Sequence, residues 1–262
     1  MTDKSENRFQ GLFETGKYVA FKNYLYSYVL RKRAIEKVLE REDYTLILEV
    51  GSGISPVMTR TDRIVYSELS FLACRTLKRQ QQRGWYVAAD VTHLPFCEGA
   101  FSHTVSSEVL EHVAEDAEAL GELARVLAPG GRLIVTFPHR KFYFSLDDRF
   151  VEHYRRYELP EMVALLKAVG LHPIRTQKVL GPMDKVGAIA AILSFTAAQR
   201  LLPGKAEKPA GPSGLMNFLA PVVKWANRFF ACLAWADARV VPRALATILL
   251  VVAEKTHADP DH

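Results

Sequence analysis

Residues 46–56 read LILEVGSGISP, an apolar run that passes directly into a glycine-rich turn. A short apolar run bounded by turn residues is typical of a buried strand. Gly51 and Gly53 permit positive φ angles, which let the backbone turn sharply or approach a ligand closely. Pro56 suits the first position of a helix, so we expect a helix over 56–60. The stretch therefore predicts the strand, loop and helix that begin an α/β fold.

The same alternation continues from residue 44 to about 180, which is typical of βα units on a mostly parallel sheet. The predicted strands lie near 45–50, 64–68, 85–89, 102–107, 132–137 and 172–179. The predicted helices lie near 56–60, 70–82, 115–127 and 159–169. We expect Pro129-Gly130-Gly131 and Gly170 to end the last two helices.

The chain changes in character after residue 180. Val186–Leu202 is almost continuously apolar, the linker LPGKAEKPAGPSG follows, and Leu215–Ala236 is amphipathic. The chain then closes with ATILLVVAEK, whose β-branched and aliphatic residues predict a last strand. A helical insertion is therefore predicted between the sixth strand and the last one.

Composition places the chain among ordinary globular proteins. Of its 262 residues, 49% are apolar and 24% are charged, which indicates one large domain or one domain with an embedded extension. The net charge of +5 is mild, and the basic residues stand in short, scattered groups. Such groups are more often solvated faces than a nucleic-acid site, so we expect no nucleic-acid partner.

Cysteine spacing and hydropathy bear on the compartment. Cys74, Cys97 and Cys232 lie far apart and form no metal-binding spacing, so we expect free thiols, a reducing compartment and no bound metal ion. The N-terminus, MTDKSENRFQ, is polar, and no apolar stretch reaches the roughly 20 residues of a membrane span. The expected location is the cytoplasm.

Two acidic residues accompany the first strands. Glu49 stands two places before Gly51, whereas a dinucleotide fingerprint would need a glycine where Pro56 stands. Glu68 ends the second predicted strand, where a carboxylate can accept hydrogen bonds from both hydroxyls of a ribose. A tight turn without a ligand and a surface charge are the alternatives for these two features, and Glu68 would suit NAD equally well.

Four further segments follow in order: Asp90–Phe96, Phe101–Val105, Val109–Val113 and Arg125–Gly131. Together with the motif around Glu49, they resemble the class I S-adenosylmethionine (SAM)-dependent methyltransferases, in the group that includes the ubiquinone- and menaquinone-biosynthesis enzymes. The chain departs from the family pattern at two positions. Ser55 replaces the third glycine of the first motif, and Ser102 replaces the usual aspartate after Phe101.

The resemblance implies a fold and a cofactor. The implied fold is a three-layer, Rossmann-like α/β fold with a seven-stranded sheet and a helical insertion before the last strand. Its implied parts are N-terminal helices over the site (1–43), a SAM-binding core (44–180), an apolar helical extension (181–243) and the final strand with a polar tail (244–262). The cofactor is SAM, and the implied binding residues are Glu49, Gly51, Ser52, Gly53, Glu68, Leu69, Asp90, Val91, Ser107, Glu108 and His112.

Methyl transfer from a sulfonium is an SN2 displacement onto an O, N or C nucleophile, and it requires no metal ion. The protein aligns the nucleophile and excludes water, and it supplies a general base where one is needed. The predicted catalytic residues are His139, then His153 with Tyr154, all after the fifth strand. An ordinary hydrogen-bonded histidine is the alternative for each.

The predicted substrate is a small lipophilic or aromatic molecule, because the segments expected to build its pocket are rich in aromatic residues. These residues are Phe21, Tyr24, Tyr26, Tyr28, Phe142, Tyr143 and Phe144. The extension over 183–240 combines bulky apolar residues with basic ones. It is expected to act as a lid, as a homodimer face or as a peripheral contact with the inner face of the membrane.

Three other functions stay open at this stage. A non-catalytic SAM-binding protein would bind the cofactor without transferring its methyl group. An RNA or protein methyltransferase would call for a basic groove or an appended binding domain, and neither is evident in the sequence. An NAD-dependent oxidoreductase would bind NADH in place of SAM.

Overall fold

The strands predicted from the apolar runs all form in the computed structural model, which describes residues 26–189 and 229–256. They are β1 (Ile47–Val50), β2 (Ile64–Glu68), β3 (Trp85–Ala88), β4 (Phe101–Ser107), β5 (Leu127–Pro138), β6 (Leu171–Leu180) and β7 (Ile248–Lys255). They build one sheet in the order β3-β2-β1-β4-β5-β7-β6. The predicted seven-stranded α/β class is confirmed.

Strand direction decides where a site can form. The strands β1 to β5 pair in parallel, and β7 runs antiparallel between β5 and β6. The carboxyl ends of β1 to β6 therefore lie along one edge of the sheet. The strand order reverses between β1 and β4, and open α/β sheets bind ligands in the crevice beyond such a switch point.

Helices cover both faces of the sheet. They are α1 (Tyr26–Leu39), α2 (Phe71–Gln81), α3 (Asp116–Val126), α4 (Leu146–Phe150) and α5 (Leu159–Ala168). Single 3-10 turns occupy Leu110–His112, Lys141–Tyr143 and Arg243–Leu245. Residues 183–189 and 229–240 are also helical and lie between β6 and β7 in the chain, as the predicted insertion requires.

The core has two halves, one on each face of the sheet. Every residue of β1 is buried, and alternate side chains point to opposite faces. Leu48 packs with residues of α3 and α5, while Ile47 packs with α1 and α2. Each fully buried aliphatic side chain of this kind stabilises the fold by about 1.5–3 kcal/mol. The result is the predicted three-layer arrangement.

The predicted helix over 56–60 is wrong, because residues 51–60 form an irregular loop. The Glu49 carboxylate accepts hydrogen bonds from the amides of Val57 and Met58. The Tyr28 hydroxyl donates to the carbonyl of Pro56. The Tyr28 hydroxyl thus occupies the Pro56 carbonyl that would accept the first hydrogen bond of the helix, while Glu49 holds the two amides in the loop.

The predicted start of the fifth strand is also wrong, although the helix before it ends where predicted. The helix α3 ends at Val126, and β5 begins at the next residue, so Pro129-Gly130-Gly131 lies inside the strand. A Cβ on Gly131 would come within 3.0 Å of the Ser102 carbonyl oxygen and 2.8 Å of that of Ala128, so this close crossing requires glycine. The helix α5 ends before Gly170, as predicted.

Several predicted features lie outside the described residues. They include Phe21, Tyr24, the linker and most of the two apolar segments of the extension. Within residues 26–189 and 229–256, no helix combines the length and the apolar character needed to cross a membrane.

Candidate active site

The glycine-rich loop after β1 has the backbone conformation that its sequence predicts. Gly51 and Gly53 have φ angles of +61° and +53°. A Cβ on Gly51 would lie 2.5 Å from a methyl carbon of Val109. Glycine at position 51 is therefore required by the packing of this loop against the segment after β4, in addition to any contact with a ligand.

Glu49 faces its own loop. The side chain is buried, and its two oxygens accept the amides of Val57 at 2.7 Å and Met58 at 2.9 Å. Hydrogen bonds to a charged group are worth about 1.5–3 kcal/mol each. Glu49 thus fixes the loop that its motif begins.

A small cleft opens beside this loop at the carboxyl ends of β1 and β4. It is lined by Tyr28, Arg31, Glu49, Val50, Gly51, Ser55, Val57 and Ser107. The hydroxyl oxygens of Ser52 and Ser55 are buried and have no hydrogen-bond partner in the described part of the chain. Because buried polar groups are normally satisfied, these two hydroxyls fit a polar ligand that completes the cleft.

Glu68 lies at the tip of β2, as predicted. One carboxylate oxygen accepts the Gly53 amide at 2.8 Å, and the other accepts the Ser70 amide at 3.2 Å. A carboxylate at a strand tip is the type of group that accepts hydrogen bonds from vicinal hydroxyls. The adjacent Leu69 is half-buried.

Asp90 follows β3 and lies beside Glu68, because the Ala89 amide donates to the Glu68 carbonyl oxygen. The exposed Asp90 carboxylate accepts the amide and hydroxyl of Thr92 through one oxygen. Val91 is half-buried against the core. The structure therefore places the predicted adenosine-binding residues side by side at the ends of β2 and β3.

The residues after β4 face the same edge of the sheet. The Ser107 hydroxyl lies 3.0 Å from that of Thr136. Glu108 has a φ of +55°, which is uncommon for a residue other than glycine. One Glu108 carboxylate oxygen lies 3.9 Å from the Arg31 guanidinium. The other is buried without a hydrogen-bond partner among the described residues.

The structure brings Glu111, His112 and His153 together, whereas the sequence predicts separate roles for the two histidines and none for Glu111. Glu111 Oε1 lies 3.7 Å from His153 Nε2, and the two imidazole rings are in edge contact at 4.6 Å between centroids. Glu111 is fully buried. Burial, together with the nearby charge of Glu108, raises the pKa of the Glu111 carboxyl.

A buried ion-pair cluster supports His153. The Asp148 carboxylate bonds His153 Nδ1 at 2.9 Å, Arg156 Nε at 2.8 Å and Lys185 Nζ at 2.8 Å. Burial opposes ionisation of Asp148, yet these three hydrogen bonds hold the pKa of its carboxyl well below its usual range. Asp148 thus orients the His153 ring, with Nε2 toward Glu111.

His139 and Tyr154 have other surroundings. The buried His139 ring lies with Nδ1 2.9 Å from the Ala246 carbonyl oxygen, and burial lowers the pKa of its imidazole. Tyr154 is half-exposed, and its amide donates to the Glu111 carbonyl at 2.8 Å. The ring contacts of His139 connect the end of β5 to the segment before β7. Its catalytic role, like those of His153 and Tyr154, stays a prediction.

Comparison with known proteins shows what this core resembles. Residues 48–135 match the family model described as a methyltransferase domain. Over this third of its length the chain is similar to methyltransferase domains. The matched range runs from β1 into β5 and includes the loop of Gly51, Glu68, Asp90 and the Glu111–His112 segment.

Relatives of the methyltransferase domain cover only part of the chain. A curated relative named demethylmenaquinone methyltransferase, from Mycolicibacterium gilvum, is 29% identical over 144 residues, which are 54% of this chain and 61% of that protein. In the first four curated relatives the matched share of the relative ranges from 36% to 61%. The chain therefore spans only about a third to three fifths of the curated relatives it matches.

Solved structures share the fold across most of the chain. The [4+2]-cyclase SpnF aligns with a TM-score of 0.57 at 20% identity, covering 87% of this chain and 82% of that one. The 1,6-didemethyltoxoflavin-N1-methyltransferase of Burkholderia thailandensis, solved with S-adenosylhomocysteine, aligns with a TM-score of 0.55 at 15% identity, covering 96% and 87%. At these identities the likeness establishes the fold of the methyltransferase domain.

Five residues of this site were not singled out from the sequence: Arg31, Ser55 as a cleft residue, Glu111, Asp148 and Asp184. Glu111 was within reach, because it stands beside His112 in the VLEHV segment. Asp184 follows β6, and its carboxylate accepts the Tyr26 hydroxyl at 3.2 Å. Burial, together with the charge of Glu108, raises the pKa of Asp184 to about 6.

The Asp184 carboxyl makes the stability of the methyltransferase domain depend on pH. Its pKa is higher in the folded chain than in the unfolded one, so its contribution to the free energy of unfolding falls as pH rises through about 6. Asp184→Asn removes this term and keeps an acceptor for Tyr26. The comparison is the free energy of unfolding of the variant minus that of the parent chain. We expect this difference to rise by about 2 kcal/mol when the pH is raised from about 4.5 to about 7.5.

Urea unfolding at the two pH values measures this change, and Asp62→Asn is the control because Asp62 is exposed. An equal pH dependence in the parent chain and in Asp184→Asn would contradict the assignment.

Proposed function

We propose that this chain is a SAM-dependent methyltransferase that acts on a small lipophilic or aromatic molecule. The observation that carries the proposal is the position of Glu68. It lies at the tip of β2, next to Asp90 and bonded to the loop of Gly51 and Gly53. A carboxylate at this position suits vicinal hydroxyls of a ribose.

We assign each part of the cofactor to residues at this edge of the sheet. Glu68 would hold the ribose, Asp90 the adenine amino group and Val91 the adenine ring. The orphaned hydroxyls of Ser52 and Ser55 supply polar contacts for the amino-acid end of the cofactor. The Arg31 guanidinium, which also lines the cleft, would pair with its carboxylate. Glu49 holds the loop in place through the Val57 and Met58 amides and does not contact the cofactor itself. The other residues proposed to line the cofactor site are Leu69, Ser107, Glu108 and His112.

SAM supplies an electrophilic methyl group on a sulfonium, and the protein's task is to position a nucleophile and exclude water. Of the three predicted catalytic residues, His153 has the strongest support. Its Nδ1 is bound to Asp148, which leaves Nε2 to act as the base whenever no ion is bound to it. His139 bonds Ala246 instead, and Tyr154 supports the Glu111 backbone. The nucleophile is an O, N or C atom of the substrate.

Two observations support a lipophilic substrate. The relative's named substrate, demethylmenaquinone, is a lipophilic quinone. In addition, Tyr28 on α1 is an aromatic residue that lines the cleft. An aromatic wall of this kind suits an apolar or aromatic substrate.

An exposed apolar surface lies near this site, and we propose that it rests on an anionic membrane. Its side chains are Phe142, Leu146, Val186 and Leu245. Hydrogen bonds join the three segments, from the Tyr143 hydroxyl to the Leu245 carbonyl and from Lys185 to Asp147. The exposed cation Arg243 flanks it, as does Lys141 in its ion pair with Glu161, and an apolar surface next to a cation suits anionic lipid.

Flotation with vesicles of phosphatidylglycerol and phosphatidylcholine tests the membrane contact. We expect the parent chain to float, and a Phe142→Ser, Leu146→Ser double variant to stay at the bottom. If the parent chain fails to float and sediments as a dimer that the double variant disrupts, the surface is a homodimer face instead.

The substrate class is tested with methyl-labelled SAM and fractionated cell extract. We expect label in the organic-soluble fraction with the parent chain and at least tenfold less with Glu68→Gln. Label only in protein or RNA would overturn the small-molecule substrate. Binding of S-adenosylhomocysteine without transfer to any fraction would favour a non-catalytic SAM-binding protein.

A further inference from the structure

We propose that Glu111, His112 and His153 bind a divalent first-row transition metal ion, with His153 held in place by Asp148. One ligand atom from each of the three side chains lies within 4.8 Å of the other two. Ligands of a tetrahedral site with bonds of about 2.1 Å are about 3.4 Å apart. The 3.7 Å between Glu111 Oε1 and His153 Nε2 is already close to that spacing.

The Glu111 carboxylate provides a second, independent observation. It is completely buried, and neither of its oxygens has a hydrogen-bond partner among the residues that the structure describes. A buried carboxylate without a partner is strongly unfavourable, whereas pairing with a cation offsets that cost. One of its oxygens faces the His153 ring, where an ion shared with the imidazole would lie.

The support for His153 is of the kind that metal-binding histidines use. Its Nδ1 is bonded to the Asp148 carboxylate at 2.9 Å, which leaves Nε2 to bind the ion. A carboxylate on the far nitrogen fixes the ring and increases its basicity as a ligand. Arg156 and Lys185 hold Asp148 in turn.

The two ligand segments are also fixed to each other. The Tyr154 amide donates to the Glu111 carbonyl oxygen at 2.8 Å. His153 is therefore held beside the turn that carries Glu111 and His112, although the segments are about forty residues apart in the chain. His112 and His153 are half-buried, so an ion can enter from their side.

The donor set indicates the class of ion. One carboxylate and two imidazoles suit Zn²⁺, Co²⁺, Mn²⁺ or Fe²⁺, whereas Mg²⁺ and Ca²⁺ prefer oxygen donors throughout. Three protein ligands leave a position for a further oxygen or nitrogen ligand, as in catalytic metal sites. This open position could bind the nucleophile of the substrate, and that role rests on the proposed function. Binding of the metal ion itself does not depend on the proposed function.

Titration of the untagged full chain with Co²⁺ and Zn²⁺ after chelator treatment tests the site. Cys97→Ser and Cys232→Ser are introduced as the common background, because both thiols are exposed and can bind these ions. We expect one ion per chain, a visible Co²⁺ absorption band that Zn²⁺ removes, and no competition from equimolar Mg²⁺. In Glu111→Gln and His153→Ala the affinity falls at least 100-fold.

His172→Ala is the matched control, because His172 is exposed on β6 and should leave the affinity unchanged. Thermal unfolding and S-adenosylhomocysteine binding establish that each variant is folded. The proposal is overturned if Co²⁺ binds the Glu111→Gln variant as tightly as the background chain. A chain that binds S-adenosylhomocysteine but no ion would overturn the metal site alone, and one that binds the ion but not S-adenosylhomocysteine would overturn the proposed function alone.

Discussion

Replacing Asp148 with alanine is expected to lower the free energy of unfolding by about 3–5 kcal/mol. The carboxylate is buried and accepts hydrogen bonds from His153, Arg156 and Lys185. Removing it leaves the buried Arg156 guanidinium without its main carboxylate partner and takes one of two carboxylates from Lys185, which costs more than the lost hydrogen bonds alone.

Urea unfolding in the presence of a chelator measures the effect of Asp148→Ala without a contribution from bound metal. Asp62→Ala is the control, because its ion pair with Arg83 is long and both side chains are mostly exposed. We expect that variant to change stability by less than about 0.5 kcal/mol. A loss below about 1 kcal/mol in Asp148→Ala would show that the cluster is not a major source of stability.

The second large effect concerns Glu68. Glu68→Gln is expected to weaken S-adenosylhomocysteine binding about 100-fold, because two charge-assisted hydrogen bonds to ribose hydroxyls lose their ionised acceptor. Glutamine has nearly the same shape and retains one oxygen for the Gly53 amide at 2.8 Å, and it gives up only the longer bond from the Ser70 amide at 3.2 Å. The predicted loss is therefore in affinity rather than in folding.

Calorimetric titration measures that loss, with thermal unfolding as the check that the variant is folded. Glu98→Gln is the matched control, because Glu98 is an exposed glutamate in the loop before β4. An affinity within threefold of the parent chain would contradict the role of Glu68 in ribose binding.

The strands were predictable because burial on both faces of a parallel sheet demands continuous apolar runs. The run Leu46–Leu48 leads into the buried strand β1, and the run Ile64–Tyr66 begins the buried strand β2. The positions of Glu68 and Asp90 were predictable for a different reason. They stand at or just beyond the ends of two parallel strands, and parallel strands end at the same edge of the sheet.

The errors come from contacts between distant residues. Pro56 favours a helix locally, but the Tyr28 hydroxyl from α1 occupies the Pro56 carbonyl that would accept its first hydrogen bond. Starting the strand after Pro129-Gly130-Gly131 is likewise a local expectation, and pairing with β4 begins the strand at Leu127 instead. No local pattern contains these partners.

The candidate site was predictable only in part, for a related reason. The surroundings of His139 depend on Ala246, more than a hundred residues later in the chain. Glu111 was overlooked beside His112 because its significance comes from its burial and from the approach of His153. Both properties arise when the loop after α4 folds over the turn at Leu110–His112.

The most direct test of the central claim is calorimetric titration of the parent chain with S-adenosylhomocysteine and, separately, with NADH. The account predicts saturable binding of one S-adenosylhomocysteine per chain and no saturable binding of NADH. Saturable binding of NADH with no binding of S-adenosylhomocysteine would contradict it.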